Sequence, residues 1–228
     1  MSNTDLNIVL TIKELKEEAQ DYFSIRFERP RNFQYEAGNW MDIRFPVSEF
    51  PVGRTYSFAS SPTEPDLLIA FKRGVSKFKK ALEQVKPGDS MLITQYGSSG
   101  FLLNKKYNSL FIAGGIGITP FRSMIKEVVD NNRQMNIVLV YLNHNEDFPF
   151  QKEFQEWENA LPSLKIQYLI TGKEGRLTKE KLQKLVPDTS NRISYVAGSP
   201  GMINSIKNLL SSLVIKEKEI QIEEFEGY

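Results

Sequence analysis

The stretch Ala113-Gly114-Gly115-Ile116-Gly117-Ile118-Thr119-Pro120 limits what this chain can fold into more than any other. The apolar run Leu110-Phe111-Ile112 precedes it, and a helix-patterned segment, Phe121 to Val129, follows. A strand that breaks on glycines and opens into a helix leaves bare backbone N–H groups at the positive end of the helix, a geometry that holds phosphate. Glycine suits such a turn because a Cβ would keep the ligand's oxygens away from the backbone. Pro120 fits the first helical turn, where a missing N–H costs nothing. The spacing is not the G-x-G-x-x-G of the dinucleotide fingerprint. Taken alone, the segment also reads as an ordinary glycine-rich strand–turn–helix link.

Composition narrows the chemistry. The 228 residues suit one large domain or two small ones. A balance of 29 basic and 28 acidic residues argues against a protein made for nucleic acid or an anionic membrane. No apolar stretch approaches the ~20 residues of a membrane span. Met1-Ser2-Asn3-Thr4-Asp5 lacks the pattern of a signal peptide, so a cytoplasmic location is expected. There is no Cys, hence no disulfide, thiol nucleophile or cysteine-held iron–sulfur cluster. With His144 the only histidine, a zinc centre is not expected, and neither is any other metal site. No G-x-S-x-G elbow accompanies it for a hydrolase triad. A chain so poor in polar catalysts either only binds ligands or takes its chemistry from a cofactor.

Two halves differ in texture. Before about Asn104, the segments Leu6–Leu15, Tyr22–Glu28, Asn39–Phe45, Arg54–Ser60, Leu67–Lys72 and Ser90–Thr94 read as strands separated by Pro, Gly, Asn and Ser turns. With one short helix, Lys77–Glu83, they predict a closed antiparallel barrel over residues 1–104. Residues 105–228 alternate apolar runs with helices, which predicts an α/β domain with a doubly wound parallel sheet. The runs are Ser109–Ala113, Ile137–Tyr141, Ile166–Ile170, Ile193–Ala197 and Glu219–Ile222; the helices are Pro120–Asn131, Phe150–Ala160, Thr178–Leu185 and Met202–Leu213. Ligands of such sheets bind beyond the carboxyl ends of the strands, where Gly114–Pro120 and Gly198–Gly201 both fall.

In the first half, Arg54 and Tyr56 lie two apart on a strand, so one face presents a guanidinium for a diphosphate and a flat ring for another flat ring. Ser57 points the other way unless the strand bends. The same pattern is common on a surface strand. Further on, Ser76 reads as an N-cap, with Phe78, Ala81 and Leu82 on the buried helix face. Six basic residues and one acid, Glu83, lie between Lys72 and Lys86, either a solvated face or a docking surface for an acidic partner.

The ordered set Arg54-x-Tyr56-Ser57, Gly74-x-Ser76 and Gly114-Gly115-x-Gly117-x-x-Pro120 resembles the ferredoxin–NADP reductase family of flavoproteins. Tyr35–Asn39, Ser76–Lys79, Gly175–Thr178, Val196–Met202 and the ending Glu223-Glu224-Phe225-Glu226-Gly227-Tyr228 are similar to further segments of that family. The resemblance implies an FAD-binding barrel followed by an NAD(P)-binding domain. It implies that Arg54 and Ser76 hold the FAD pyrophosphate, with Phe71, Lys72 and Val75 beside them. Tyr56 would stack on the isoalloxazine, with Ser57 near its N5. Gly114, Gly115, Gly117, Thr119 and Pro120 would accept the nicotinamide nucleotide, and Gly198, Ser199, Pro200 and Met202 would line its nicotinamide end. Ser57, Tyr56, Thr119 and Phe225 are the residues implied at the reacting rings, with Phe225 or Tyr228 over the second flavin face. Arg176 and Lys173 are candidates for a 2′-phosphate.

The chain departs from the family at Ala197, where many members carry Cys, at Tyr96–Phe101 in place of a Gly-Pro-x-Gly stretch, and at Asn143-His144, which leaves NADH or NADPH preference open. The expected activity is NAD(P)H-dependent reduction of bound FAD, followed by electron delivery to an external acceptor such as ferredoxin, flavodoxin or another redox protein. The alternatives are a flavin reductase that uses free flavin as substrate and a non-catalytic subunit of a larger redox complex.

Overall fold

The computed structural model describes residues 6–225, apart from Ser48 and Pro51. Two sheets divide the chain. The first is antiparallel and contains β1 (Ile8–Ala19), β2 (Tyr22–Glu28), β3 (Trp40–Arg44), β4 (Arg54–Ser57), β5 (Asp66–Lys72) and β6 (Ser90–Gly97), in the order β4-β3-β6-β1-β2-β5. Its edge strands meet just past the end of β4, where the N–H groups of Ala59 and Ser60 donate to the Leu68 carbonyl at 2.8 and 3.3 Å. Alternating residues of these strands, among them Leu10, Ile12, Ile25, Phe27, Met41, Ile43, Ile69 and Ile93, fill the interior. The helix α1 (Lys77–Leu82) closes one end with Phe78 and Leu82.

Two strands of this sheet run three or four residues past their sequence-based ends. β1 continues through Lys16-Glu17-Glu18 because neighbours satisfy those charges: Lys16 Nζ and Ser24 Oγ both reach Glu18, at 2.8 and 2.6 Å. β6 runs on through Tyr96 and Gly97, which pair with Met41 and Trp40 of β3. β4 is shorter than expected, ending at Ser57, since the chain then turns across to β5.

The second sheet is wholly parallel. It consists of β7 (Ser109–Gly114), β8 (Ile137–Asn143), β9 (Leu164–Ile170), β10 (Ile193–Gly198) and β11 (Ile220–Glu224), in the order β11-β10-β7-β8-β9. The helices are α2 (Thr119–Asp130), α3 (Gln151–Ala160), a single turn α4 (Thr171–Glu174), α5 (Lys179–Leu185) and α6 (Pro200–Ser212). β8 is buried along its whole length, as expected for a central strand covered on both faces. From β7 the chain winds one way through β8 and β9, then crosses back to β10 and β11. The switch point therefore lies between β7 and β10, the place where open α/β sheets bind ligands.

The halves are joined by a polar seam. Ser123 Oγ donates to the Ser60 carbonyl at 2.6 Å and Thr63 Oγ1 to Asp130 at 2.5 Å. The Asn104 N–H donates to Tyr195 Oη at 2.8 Å, pinning the connecting segment to β10.

Candidate functional site

Two cavities open where the halves meet. One, of about 690 Å³, lies at the switch point and is lined by Gly114, Gly115, Asn143, His144, Thr171, Arg176, Ser199, Gly201, Met202 and Ser205, with Tyr22 and Lys72 from the first half. The other, of about 540 Å³, is lined by Arg54, Thr55, Tyr56, Ser57, Phe71, Ser76, Phe78, Lys79, Ile116, Glu223 and Phe225, and again Lys72. Consecutive residues thus face different cavities: Gly115 faces the first and Ile116 the second.

The inner edge of the switch-point cavity is a backbone turn. β7 runs into a 3₁₀ turn, Gly115–Ile118, and then into α2. Gly115 takes φ +51°, and a Cβ there would come within 2.9 Å of the Tyr22 hydroxyl, so both conformation and space call for glycine. A Cβ on Gly117 would lie 2.3 Å from the Ala197 carbonyl oxygen, so this glycine lets β7's exit pack on β10's. At α6, Ser199 is the N-cap but its side chain makes no capping bond, which leaves first-turn N–H groups available to an anion. Tyr22 and Lys72 face each other across the β2–β5 pair, and Lys72 Nζ sits 5.6 Å from the Tyr22 ring. The Tyr22 hydroxyl donates to Asn143 Oδ1 at 3.3 Å.

The second cavity is formed by side chains. Phe71 and Phe78 give it apolar surface, and Arg54 lies with its guanidinium carbon 5.6 Å from the Phe78 ring centre. Burial pushes the Tyr56 phenol up, against the opposing charge of Arg54, so the ring is neutral. Ser76 Oγ accepts the Lys79 N–H at 3.2 Å as the N-cap of α1. Desolvation, then the nearby charge of Lys72, lowers the Lys79 ammonium pKa. Sequence reasoning missed Glu223. β11 carries it from the far edge of the other sheet to Ser57, whose Oγ donates to Glu223 Oε1. Glu223 Oε2 is buried without a hydrogen-bond partner. Desolvation pushes the carboxyl up to about 7, with the Ser57 hydrogen bond acting the other way. The available signal was the first of two adjacent acids, Glu223-Glu224, following the alternation Ile220-Gln221-Ile222.

Most of the expected residues meet here, but seven of the described ones line neither cavity. Thr119 is buried and spends its hydroxyl on the Ile116 carbonyl at 3.1 Å. Gly117 and Pro120 are buried behind the turn. Gly198 and Pro200 shape the entry to α6, while their neighbours Ser199, Gly201 and Met202 form the wall. Val75 is 93% exposed on the loop before α1, turned away from the cavity. Phe225 reaches the second cavity, with its N–H donating to the Gly198 carbonyl at 3.0 Å; Tyr228 lies outside the described residues. Arg176 reaches the switch-point cavity, whereas Lys173 pairs with Glu146 at 3.0 Å. Among the described residues no group of potential metal ligands occurs, and no helix is long and apolar enough to cross a membrane.

The groups present fit a flavin. A flat aromatic wall, a guanidinium and an inward-turned carboxyl with one unpaired oxygen match the faces, phosphates and polar ring edge of such a ligand. The architecture is an antiparallel barrel-like sheet followed by a doubly wound one. Residues 111–208 match the family described as the oxidoreductase NAD-binding domain. The Acinetobacter pittii phenol hydroxylase P5 protein is 26% identical over 94% of this chain and 64% of its own length. The Aspergillus oryzae NADH-cytochrome b5 reductase 2 is 35% identical over 45% of this chain and 36% of its own. The chain therefore spans less than two thirds of either relative. Ferredoxin-NADP+ reductase from Plasmodium falciparum aligns over 96% of both chains with a TM-score of 0.79 at 20% identity. The FAD/NAD-binding domain of Vibrio cholerae nitric oxide dioxygenase aligns over 96% of this chain and 99% of its own, with a TM-score of 0.84 at 16% identity. At these identities the structural likenesses establish the fold. Residues 111–208 carry the oxidoreductase NAD-binding domain, and the whole chain has the two-domain fold of the ferredoxin–NADP reductase-like structures.

Proposed function

We propose that this protein is an NAD(P)H-dependent FAD oxidoreductase, with residues 1–104 holding FAD and residues 105–228 holding the nicotinamide nucleotide. The observation that carries the reading is the junction of the two cavities at Lys72, with Gly115 on one side of the turn and Ile116 on the other. Ligands filling both cavities meet there. A bound flavin supplies a ring that accepts the nicotinamide's hydride, with its two electrons, at N5 and passes those electrons to an acceptor outside the chain. The protein's own residues bind, orient and exclude water. Arg54 and the turn at Ser76 hold the diphosphate, and Tyr56 offers its ring to one flavin face. Ser57, whose hydroxyl donates to Glu223, would line the reacting edge of a bound flavin. With its pKa raised toward neutrality, Glu223 is able to store or release a proton at Oε2. Gly114, Gly115, Ser199 and Met202 receive the nucleotide, and His144 and Arg176 face its far end.

The names of relatives, a phenol hydroxylase P5 protein and a glycine betaine monooxygenase reductase subunit, support a redox protein as acceptor; ferredoxin or flavodoxin are the expected types. A cytoplasmic location fits this role. Anaerobic addition of NADH and NADPH in turn to the purified yellow protein tests the proposal. Bleaching of the flavin absorbance is expected. Persistent oxidised flavin in excess of both reductants rejects it, and a colourless protein after desalting points instead to a flavin reductase that takes free flavin. A steep fall in acceptor turnover with added salt is expected if the Lys72–Lys86 stretch docks an acidic partner. Removing residues 225–228 is expected to raise flavin fluorescence and alter NAD(P)H affinity, through loss of Phe225 from the cavity wall.

A further inference from the structure

Arg122 lines neither cavity, yet it heads the fully buried large side chains of the molecule. Its guanidinium sits on the seam. Nη1 donates to the Ala59 carbonyl at 2.7 Å and to Glu64 Oε2 at 3.0 Å, while Nη2 reaches Glu64 Oε1 at 3.2 Å. On the other side, Nε and Nη2 donate to Glu153 of α3 at 2.7 and 2.9 Å. The rings of Phe150 and Trp157 lie 5.2 and 5.4 Å from the guanidinium carbon. Burial opposes the charge, but the hydrogen bonds and charge of Glu153, with those of Glu64, hold the guanidinium above its ordinary pKa.

The placement matters more than the strength. Ala59 lies two residues past Ser57, the last residue of the strand that lines the flavin-side cavity, and Glu64 belongs to the loop leading from that strand to β5. Arg122 itself lies one helical turn beyond Thr119, whose hydroxyl closes the turn bearing Gly115 and Ile116. One side chain thus ties the end of the flavin strand to the start of the nucleotide helix. Only a planar fork serves two carboxylates and a carbonyl at once. Buried ion clusters are weak sources of stability, because desolvation offsets the Coulomb gain, and apolar packing often does as well. What they supply is a fixed geometry.

We infer that Arg122 is a positioning residue that sets the spacing between the two cavities, and so the reach between the rings they hold. The catalytic consequence rests on the proposed nicotinamide-to-flavin reading; the spacing itself does not. With no cysteine in the chain, V9C and V214C give two unique label sites, one on each half, at positions 58% and 88% exposed. Pulsed dipolar spectroscopy of nitroxide-labelled V9C/V214C is expected to give one narrow distance distribution, which broadens or shifts when Arg122→Lys is added. R122K is expected to keep flavin and nucleotide affinities within about twofold, while single-turnover flavin reduction slows by about 10- to 100-fold, as for a reactant displaced by about 1 Å. If R122K does not fold, Glu64→Gln breaks the charge pair on one side and leaves Arg122 with Glu153; a smaller change of the same kind is expected. An unchanged distance distribution in the folded variant overturns the inference, whatever happens to its melting temperature. Failure of the unsubstituted protein to be reduced by either nucleotide rejects the functional reading alone, since the distance measurement needs no turnover.

Discussion

The two cavities are made in different ways. The switch-point cavity centres on the exits of β7 and β10, where Gly114, Gly115, Ser199 and Gly201 present main chain, with larger side chains such as Tyr22, His144, Arg176 and Met202 around them. The neighbouring cavity draws side chains from β4, β5, α1, the turn after β7 and β11, segments far apart in sequence. A site formed of backbone needs a local turn and the glycines that permit it. A site formed of side chains needs the whole topology in place. The first should be fragile to any added atom, and the second should lose function in steps as individual groups are removed.

The largest effect is expected from Gly117→Ala. The new Cβ meets the Ala197 carbonyl at 2.3 Å, and backbone on both sides leaves nothing to swing away. Destabilisation of about 1–3 kcal/mol is expected, with nucleotide affinity falling more than flavin affinity. Thermal melts and separate titrations of the two ligands check this, and equal losses would break the contrast between the cavities. Tyr56→Ser comes next. Losing the buried ring surface is expected to weaken flavin retention by about 10- to 100-fold while leaving nucleotide binding intact; equilibrium dialysis reads it.

Glu223→Gln is subtler and depends on pH. The carboxyl is raised from 4.5 to about 7 in the folded protein, so between these values the folded state holds a proton that the unfolded state has released. Stability contributed by this group is therefore complete below about pH 4.5 and declines until about pH 7, a loss on the order of 3 kcal/mol. Denaturant melts across that range are expected to show a decline that E223Q lacks, and E223Q is expected to flatten any step near neutrality in the rate of flavin reduction. Val75→Ser is the smallest: exposed and turned outward, it should change flavin affinity by less than about twofold.

These contrasts also explain what could be read in the sequence. The turn after β7 was legible because glycine and proline encode backbone directly, and Arg54 with Tyr56 because a strand repeats every second residue. The same motif did not tell which way Thr119 and Pro120 point. They mark where the chain bends, and both are buried and line neither cavity. Glu223 and Tyr22 were illegible since each joins its cavity only through sheet order and packing between the halves, Tyr22 beside the expected Lys72. Arg122 gave no sign at all: nothing in Pro120-Phe121-Arg122-Ser123 tells that the charge is buried against Glu64 and Glu153.

The bond between Ser57 and Glu223 spans 166 positions of the chain. A polypeptide emerging from a ribosome has its barrel-like sheet complete well before β11 exists, yet that early domain lacks one wall of its own pocket. That wall is completed only when the last strand of the parallel sheet has paired with β10, so the first half cannot present this pocket in full on its own.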